Sequence, residues 1–301
     1  MTTKTPFIIV APPYNPTSAG CVVLHRLCDA LNRMGHPSYL LINIGDQFIV
    51  NNDSAYFDSN LIRTNFTGDL TENCTQLIKD GIVIYPEVVI GNPLNAKKVV
   101  RYLLYFDGLH MGQKMNHSDN DFIISYSTIF SNIHREVLYY PILNDLFNAE
   151  HTQMSEQRSI DLTYTDNRKE KENVHIIENT IHINKSWPEN KQQLANILRK
   201  TRYFYSWTDL SSTNVDAIFC GAIPVLIDPD PAKLELMKTS ETGSLPCYIA
   251  KVIDGNLFTW SDVKFHEKRI SYIKRIKDYE ANWNNNVSNV FNKVLKHFEL
   301  S

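Results

Sequence analysis

The sequence lacks the features that define several large classes of protein. Within its 301 residues, no stretch approaches the ~20 consecutive apolar residues of a membrane-spanning helix. The five cysteines form no C-x-x-C pair, and their odd number predicts reduced thiols rather than a disulfide framework. The apolar run at residues 6–11 is too short for the core of a signal peptide. These absences predict a cytoplasmic protein whose only membrane contact is peripheral.

Several chemical signatures are also missing. The chain has no phosphate-binding P-loop, no serine in a nucleophile elbow and no G-x-G-x-x-G fingerprint, and the last absence counts against a nicotinamide-dependent dehydrogenase. The net charge is −3, and no basic cluster provides a footprint for nucleic acid, so we predict no nucleic-acid partner. The ten histidines show no ligand spacing, which argues against a zinc site.

What is present is an alternation of strands and helices. Residues 6–11 form an apolar strand, residues 21–34 carry apolar side chains at helical spacing, and residues 38–43 form a second strand. This βαβ order begins a doubly wound sheet. Hydrophobic density falls after residue 142, and the chain is long enough for two cores. We therefore predict an α/β protein with domains at 1–150 and 151–265 and a helical segment at 266–301.

The most informative stretch is a second βαβ unit. A strand at 203–206 leads through a polar loop to a predicted helix at 214–220, and a strand follows at 223–227. Unpaired amides at such a helix start bind anions, and Ser211, Ser212 and Thr213 add hydroxyl groups there. Asp216, expected in the first turn, suits ribose hydroxyls. The unit predicts a nucleoside diphosphate site, although an ordinary capped βαβ unit explains the same residues.

This stretch resembles the donor-binding segment of GT-B glycosyltransferases. The match consists of Asp216-Ala217, Cys220-Gly221 and Ile223-Pro224-Val225. The first βαβ unit is similar as well, with Ser18-Ala19-Gly20 in its loop and Leu31 four residues before Gly35-His36. The resemblance implies two Rossmann-like domains facing a central cleft, the first on the acceptor side and the second binding the nucleotide sugar, with a C-terminal helix that packs back on the first domain.

The resemblance also implies roles for individual residues. Retaining GT-B enzymes carry two glutamates separated by seven residues, whereas Asp209 and Asp216 are separated by six here. His110 follows a predicted strand at 99–106, where related enzymes contact the transferred sugar. A surface loop histidine is the alternative. The predicted catalytic residues are His110, Asp107 and Asp209. The predicted donor-binding residues are Ser18, Gly20, Arg168, Lys169, Trp187, Ser211, Ser212, Thr213 and Asp216. For Arg168 and Lys169 the alternative is a solvated charged turn.

Two Asp-x-Asp sequences suggest a metal, because GT-A glycosyltransferases hold Mg²⁺ or Mn²⁺ with such a pair. Here Asp119-Asn-Asp121 lies in a polar run, and Asp228-Pro-Asp230 has prolines that fit a turn. We therefore predict no metal and no cofactor.

The sequence thus predicts transfer of a hexose-type sugar from a nucleoside-diphosphate sugar to a glycan or glycolipid. Composition suggests bacterial surface polysaccharide or lipooligosaccharide synthesis, and the two-acid pattern favours retention. The alternatives are a GT-B nucleotide-sugar epimerase or phosphorylase, and a sugar-binding relative without catalysis.

Overall fold

The protein is described from a computed structural model that defines residues 4–149, 157–165, 177–184 and 186–300. The chain forms two compact units. The first comprises Met1–Ile142 and Asp278–Ser301, and the second comprises Leu143–Lys277. The sequence-based limits at residues 150 and 265 both lie inside the second unit. Each unit contains one largely parallel sheet with helices, which confirms the α/β class and the two Rossmann-like units.

The first unit contains a seven-stranded sheet in the order β3-β2-β1-β4-β5-β6-β7. All pairs are parallel except the antiparallel edge pair β2–β3. The elements are β1 (Phe7–Ala11), α1 (Ala19–Arg33), β2 (Ser38–Ile44), β3 (Gln47–Ile49), α2 (Leu70–Asp80), β4 (Ile82–Pro86), β5 (Val99–Leu103), β6 (Phe122–Ser125) and β7 (Glu136–Val137).

The second unit contains a six-stranded sheet in the order β13-β12-β11-β10-β8-β9, with an antiparallel pair β12–β13. The elements are β8 (Ile160–Tyr164), β9 (Ile181–Ile183), α3 (Lys191–Leu198), β10 (Thr201–Ser206), α4 (Ser212–Phe219), β11 (Ile223–Ile227), α5 (Pro231–Lys238), β12 (Tyr248–Ile253), β13 (Asn256–Trp260) and α6 (Phe265–Ala281), whose last residues belong to the first unit.

The last helix, α7 (Trp283–His297), completes the core of the first unit. Its buried face packs with α1 and β1, and Phe291 meets Phe7 edge to face with ring centroids 5.3 Å apart. Apolar side chains at helical spacing produce this buried stripe. The expectation that a C-terminal helix packs on the first domain is confirmed.

One prediction about local structure was wrong, and one element was missed. The proline in Trp187-Pro188-Glu189 predicts a helix that opens there, with proline in its first turn. The helix instead begins at Lys191, because the side chain of Asn190 accepts a hydrogen bond from the Gln193 amide (3.0 Å) and caps it. Residues 264–298 carry apolar side chains at helical spacing and are predicted to be largely helical, which is confirmed; the structure divides them into α6 and α7. The hairpin β12–β13 was missed, although Asp254-Gly255, both with positive φ, is a typical two-residue hairpin turn. A strand predicted at 174–177 lies almost wholly outside the described residues.

Within the described part of the chain, none of the helices combines the length and the apolar character needed to cross a membrane.

Helix α4 ends at a glycine that fixes its C-terminus. Gly221 has a φ of +86°, its amide donates to the Ile218 carbonyl, and the Ala222 amide donates to the Ala217 carbonyl (2.9 Å). This is the Schellman pattern. The guanidinium of Arg158 donates to the Cys220 carbonyl at the same end (3.0 Å). A cation at a helix C-terminus is electrostatically favourable, so this end of α4 is firmly held.

Replacement of Gly221 by alanine tests this anchor. An alanine at positive φ costs ~1–2 kcal/mol, and its Cβ would lie 2.6 Å from Nη2 of Arg158. Gly45→Ala is the matched control, because Gly45 has a φ of +60° and no atom of the described residues lies within 4 Å of an added Cβ. Urea unfolding should show a larger loss of stability for Gly221→Ala than for Gly45→Ala. Equal losses would show that the approach of Arg158 does not matter.

Candidate functional site

In each sheet the chain adds strands first on one side of its earliest strand and then on the other side, so the connections diverge between two neighbouring strands. In the second unit this divergence lies between β8 and β10, and in the first unit it lies between β1 and β4. Loops diverge there at the carboxyl ends of the strands and leave a crevice in which open α/β sheets bind ligands. The predicted site residues can therefore be examined separately at the two sheet edges.

In the second unit, the start of α4 lies at this edge. Ser211 is the N-cap residue, and its Oγ accepts a hydrogen bond from the Thr213 amide (3.2 Å). The same hydroxyl lies 3.4 Å from the Tyr164 hydroxyl at the end of β8. The structure thus brings Ser211, Ser212 and Thr213 to the edge of the sheet. Because α4 begins at Ser212, Asp216 is in the second turn, and its predicted place in the first turn was wrong.

The loop before α4 and the first turn of α4 contain buried polar atoms that have no hydrogen-bond partner in the described part of the chain. Asn214 is fully buried, and its amide nitrogen donates to the carbonyl oxygens of Thr208 (2.8 Å) and Asp209 (3.2 Å). These bonds fix the orientation of the amide. Its Oδ1, together with Trp207 Nε1 and Thr208 Oγ1, has no partner among the described residues. Such groups are rare in native proteins, and each calls for an explanation such as a functional role or a bound water or ion.

Asp216 lies in the second turn of α4. The side chain is half-buried and accepts no hydrogen bond from any described residue. Burial raises its pKa to about 7, and the positive charge of Lys191, at the start of α3, opposes the shift only in part. A carboxylate held this way is costly to the fold, which is typical of a functional position.

Asp209 has structural partners. Only 9% of its surface is exposed. Its Oδ2 accepts a hydrogen bond from the Asp230 amide (3.3 Å) and lies 3.8 Å from Nζ of Lys233. It therefore ties the loop after β10 to the loop after β11, and its catalytic role stays a prediction. Sequence reasoning missed Lys233, which lies in the first turn of α5, just beyond the loop that follows the neighbouring parallel strand β11. Its signal in the sequence was its position three residues after Asp230.

Trp187 lies in the loop that follows β9, at the same edge of the sheet. Asn184 Oδ1 accepts a hydrogen bond from the Trp187 amide (2.9 Å), and 43% of the residue is exposed. The peptide bond between Trp187 and Pro188 is cis. An exposed indole beside the start of α3 offers a flat apolar surface. Arg168 and Lys169 lie outside the described residues.

In the first unit, Ser18 and Gly20 lie at the start of α1, and Asp107 and His110 lie in the loop after β5, at the same edge of the sheet. Ser18 is at the N-cap position of α1, without a side-chain capping bond, and Gly20 lies close enough to Leu104 that an added Cβ would be 3.3 Å from Cδ1. Asp107 Oδ1 accepts a hydrogen bond from the Met115 amide (2.7 Å), so this carboxylate holds a loop. His110 is exposed and contacts Tyr105, with ring centroids 5.1 Å apart.

Sequence reasoning missed a buried glutamate in the first unit. Glu87 directly follows β4, is 5% exposed, and accepts a hydrogen bond from the Leu104 amide (2.9 Å). Burial raises the pKa of its carboxyl, the bond from Leu104 opposes this, and the charge of Asp107 adds to it. The available signal was a carboxylate placed immediately after a continuous apolar strand.

The two Asp-x-Asp sequences have structural roles. Asp121 forms a buried ion pair with Arg101 (2.8 Å), and Asp230 caps α5 by accepting a hydrogen bond from the Ala232 amide. Asp228 has a φ of +44° in the turn after β11. Among the described residues, no group of three or more histidine, cysteine or acidic side chains has the arrangement of metal ligands.

The similarity of this chain to known proteins lies in its three-dimensional structure. No protein-family model matches the sequence, and no curated protein matches it either. The chain is similar to an alpha-glucosyltransferase solved with UDP and a 13-mer DNA, with 12% identity, coverage of 98% and 96% of the two chains, and a TM-score of 0.41. For T4 phage BGT with UDP and Mn²⁺, the identity is 10%, the coverage 97% of each chain and the TM-score 0.40. The glycosyltransferase SnogD from Streptomyces nogalater shows 10% identity, coverage of 97% and 100%, and a TM-score of 0.40.

The environment of Asp216 predicts a pH-dependent stability. Its folded-state pKa is about 7, above the ~3.9 of an unfolded chain. The folded state therefore binds the extra proton, and stability falls as the pH rises through this window. Asp216→Asn should be more stable than wild type above pH 7 by a few kcal/mol, and the difference should vanish below about pH 4.

Thermal melting at several pH values measures this effect. Asp46→Asn, at an exposed turn between β2 and β3, controls for the loss of a surface charge. A variant at Asp216 that melts like wild type at pH 8 would contradict the proposed environment of this carboxylate.

Proposed function

We propose that this protein is a GT-B glycosyltransferase that binds a nucleoside-diphosphate sugar at the edge of its second sheet. One observation carries the proposal: at the β8/β10 crevice, the start of α4 lies beside buried polar atoms, and the same helix presents the carboxylate of Asp216. None of these groups has a hydrogen-bond partner among the described residues. Helix N-termini favour phosphate, and carboxylates accept hydrogen bonds from ribose hydroxyls.

In the proposed arrangement each part of the donor meets a suitable group. The diphosphate lies at Ser211, Ser212 and Thr213, where amides and hydroxyls converge. The ribose hydroxyls donate to Asp216. The nucleobase stacks on Trp187, whose exposed indole follows β9 at the same edge. Such a site promotes transfer by positioning the sugar and stabilising the departing nucleoside diphosphate.

The transferred sugar, its acceptor and the stereochemistry of transfer complete the proposed reaction. We infer transfer of a hexose with retention of configuration to a glycan or glycolipid of the bacterial surface, in the cytoplasm or at the membrane face, without a metal or cofactor. The two-acid pattern of Asp209 and Asp216 supports retention. Proton NMR of fresh product assigns the anomer. A product larger than the donor sugar distinguishes transfer from epimerisation, and donor turnover distinguishes both from a non-catalytic sugar-binding protein.

The role of Asp216 predicts a loss of affinity with no loss of fold. Asp216→Ala removes charge-assisted hydrogen bonds worth roughly 1.5–3 kcal/mol, so UDP or GDP should bind about ten- to a hundredfold more weakly. Isothermal titration with and without EDTA provides the measurement. Wild-type affinity retained by a normally melting variant would place the ribose elsewhere, and no nucleotide binding by wild type would refute the proposed function.

The same residue predicts a pH effect on binding. Because burial raises the pKa of Asp216 to about 7, its carboxylate takes up a proton as the pH falls from 8 to 6 and loses the charge that attracts hydroxyl donors. Nucleotide affinity of wild type should therefore decrease over this range. The affinity of the Asp216→Ala variant over the same pH range shows how much of the change comes from titration of the nucleotide itself. Identical pH profiles for both proteins would exclude protonation of Asp216 as the cause.

Trp187 provides an independent test. Stacking of a base on an aromatic side chain is worth roughly 1–3 kcal/mol, so Trp187→Ala should weaken binding of UDP by about five- to 150-fold. Trp260→Ala is the matched control, because this β13 residue is similarly exposed (52%). Equal affinities of the two variants would remove Trp187 from the site.

A further inference from the structure

The edge strand β13 differs from the other edges of the two sheets. In the described part of the chain the sheets end at β3, β7, β9 and β13. The first three strands are only two or three residues long, and β7 carries Glu136, which pairs with Lys293 (2.6 Å). Short edge strands and charged side chains prevent pairing with another chain. Strand β13 has five residues, Asn256–Trp260, of which none is charged and none is proline, so it lacks this protection.

Two residues of β13 direct their backbone groups away from their own sheet. In a hairpin with a two-residue turn, here Asp254-Gly255, hydrogen-bonded and non-hydrogen-bonded pairs alternate from the turn onward. Leu257 and Thr259 fall at the non-hydrogen-bonded positions. In agreement, Ala250, which is opposite Thr259, uses its carbonyl oxygen to accept a hydrogen bond from the Asp228 amide on the side of β11 (2.9 Å). The amide and carbonyl groups of Leu257 and Thr259 therefore point outward, where they match an incoming strand.

The order of residues along β13 indicates which strand fits. Phe258 is the middle residue, and Leu257 and Thr259 lie symmetrically about it. If two copies pair antiparallel with Phe258 opposite its own copy, Leu257 of each forms a hydrogen-bonded pair with Thr259 of the other. The two Phe258 side chains then meet at a non-hydrogen-bonded pair, where side chains are closest and aromatic rings interact favourably. A charge near such a two-fold axis would face its own copy and repel it, and β13 has none.

The side chains of the hairpin supply apolar surface for this pairing. Ile253, Phe258 and Trp260 lie on one face of the hairpin, with 46%, 48% and 52% exposure. Lys251, opposite Phe258 on β12, is one strand away from the edge. On the other face, Leu257 packs against the core of the second unit. A second copy of β13 would therefore remove apolar side chains from water on the exposed face and continue the sheet.

From this geometry we infer that β13 is a dimerisation edge. Two copies of the chain pair their β13 strands antiparallel about a two-fold axis at Phe258, and their six-stranded sheets become one continuous sheet. Strands β11 and β12 separate β13 from β10, after which the candidate nucleotide site lies. The dimer is therefore independent of the proposed function, and each can fail without the other.

Sedimentation analysis of the full chain over a range of concentrations tests the inference. Wild type should reach about twice the 34.7 kDa mass of one chain. Phe258→Glu should raise the dissociation constant of the dimer at least about tenfold, because an aromatic pair is lost and two carboxylates face each other. Ile181→Glu is the matched control, since it makes the same change at a similarly exposed position (43%) of the edge strand β9. This control should form the dimer as wild type does.

A pair of opposite charges tests the position of the axis. Phe258→Glu and Phe258→Lys should each be mainly monomeric, whereas their equimolar mixture should form a heterodimer because opposite charges then face each other. Formation of the heterodimer also shows that both variants are folded. In wild type, the amide hydrogens of Leu257 and Thr259 should exchange with deuterium more slowly than in Phe258→Glu.

Three results would overturn the inference. The first is a wild-type protein that stays monomeric at every concentration. The second is a Phe258→Glu dimer as tight as that of wild type, which would place the interface elsewhere. The third is a mixture of the two charged variants that remains monomeric although both variants show the circular dichroism of wild type.

Discussion

The fixed C-terminus of α4 is the constraint on which the candidate nucleotide site depends. Gly221 ends the helix in a conformation that favours glycine, and the guanidinium groups of Arg158 and Arg269 donate to its last carbonyl oxygens. Because these carbonyl groups have partners within the unit, the helix axis is set from that end. Its opposite end is then directed to the β8/β10 crevice, where the amides and hydroxyls at Ser211 to Thr213 converge.

The second unit also shows a conflict between stability and function. Asp216 is held where burial raises its pKa, and Trp207, Thr208 and Asn214 have buried atoms without partners among the described residues. Each of these features costs folding free energy. These unfavourable groups lie together in one loop and one helix of the unit. A polar ligand that forms the missing hydrogen bonds would offset their cost. Asp209, by contrast, is satisfied by the Asp230 amide and Lys233 and stabilises the loop.

The sequence predicted the fold well where a single local pattern determines it. Strands β6, β8 and β11 were predicted with the bounds that the structure has, because each is a short strand-type run between turn residues. The hairpin β12–β13 was missed, since its face at Phe258 and Trp260 is exposed and gives no alternation between buried and polar positions. The start of α3 was misplaced because the Asn190 cap was overlooked in favour of Pro188.

The candidate sites were only partly predictable from the sequence. Residues within one βαβ unit, such as Ser211 to Asp216, are neighbours through local geometry, and a pattern finds them. Glu87 and Lys233 meet their partners through strand adjacency across the sheet, and the order of strands cannot be read from one sequence. The loop that contains Asp107 is a similar case. The sequence predicted a loop at the edge of the sheet, but the hydrogen bonds that anchor it, from Leu104 to Glu87 and from Met115 to Asp107, could be identified only in the tertiary structure.

The central claim is that the start of α4 binds the diphosphate of a nucleotide. Amide chemical shifts recorded during titration with UDP test this most directly. If UDP binds there, the amide chemical shifts of Ser212 and Thr213, at the start of α4, and of Asp216, in its second turn, should change and saturate. Shifts confined to other loops, or no saturable shifts at these three amides, would contradict it.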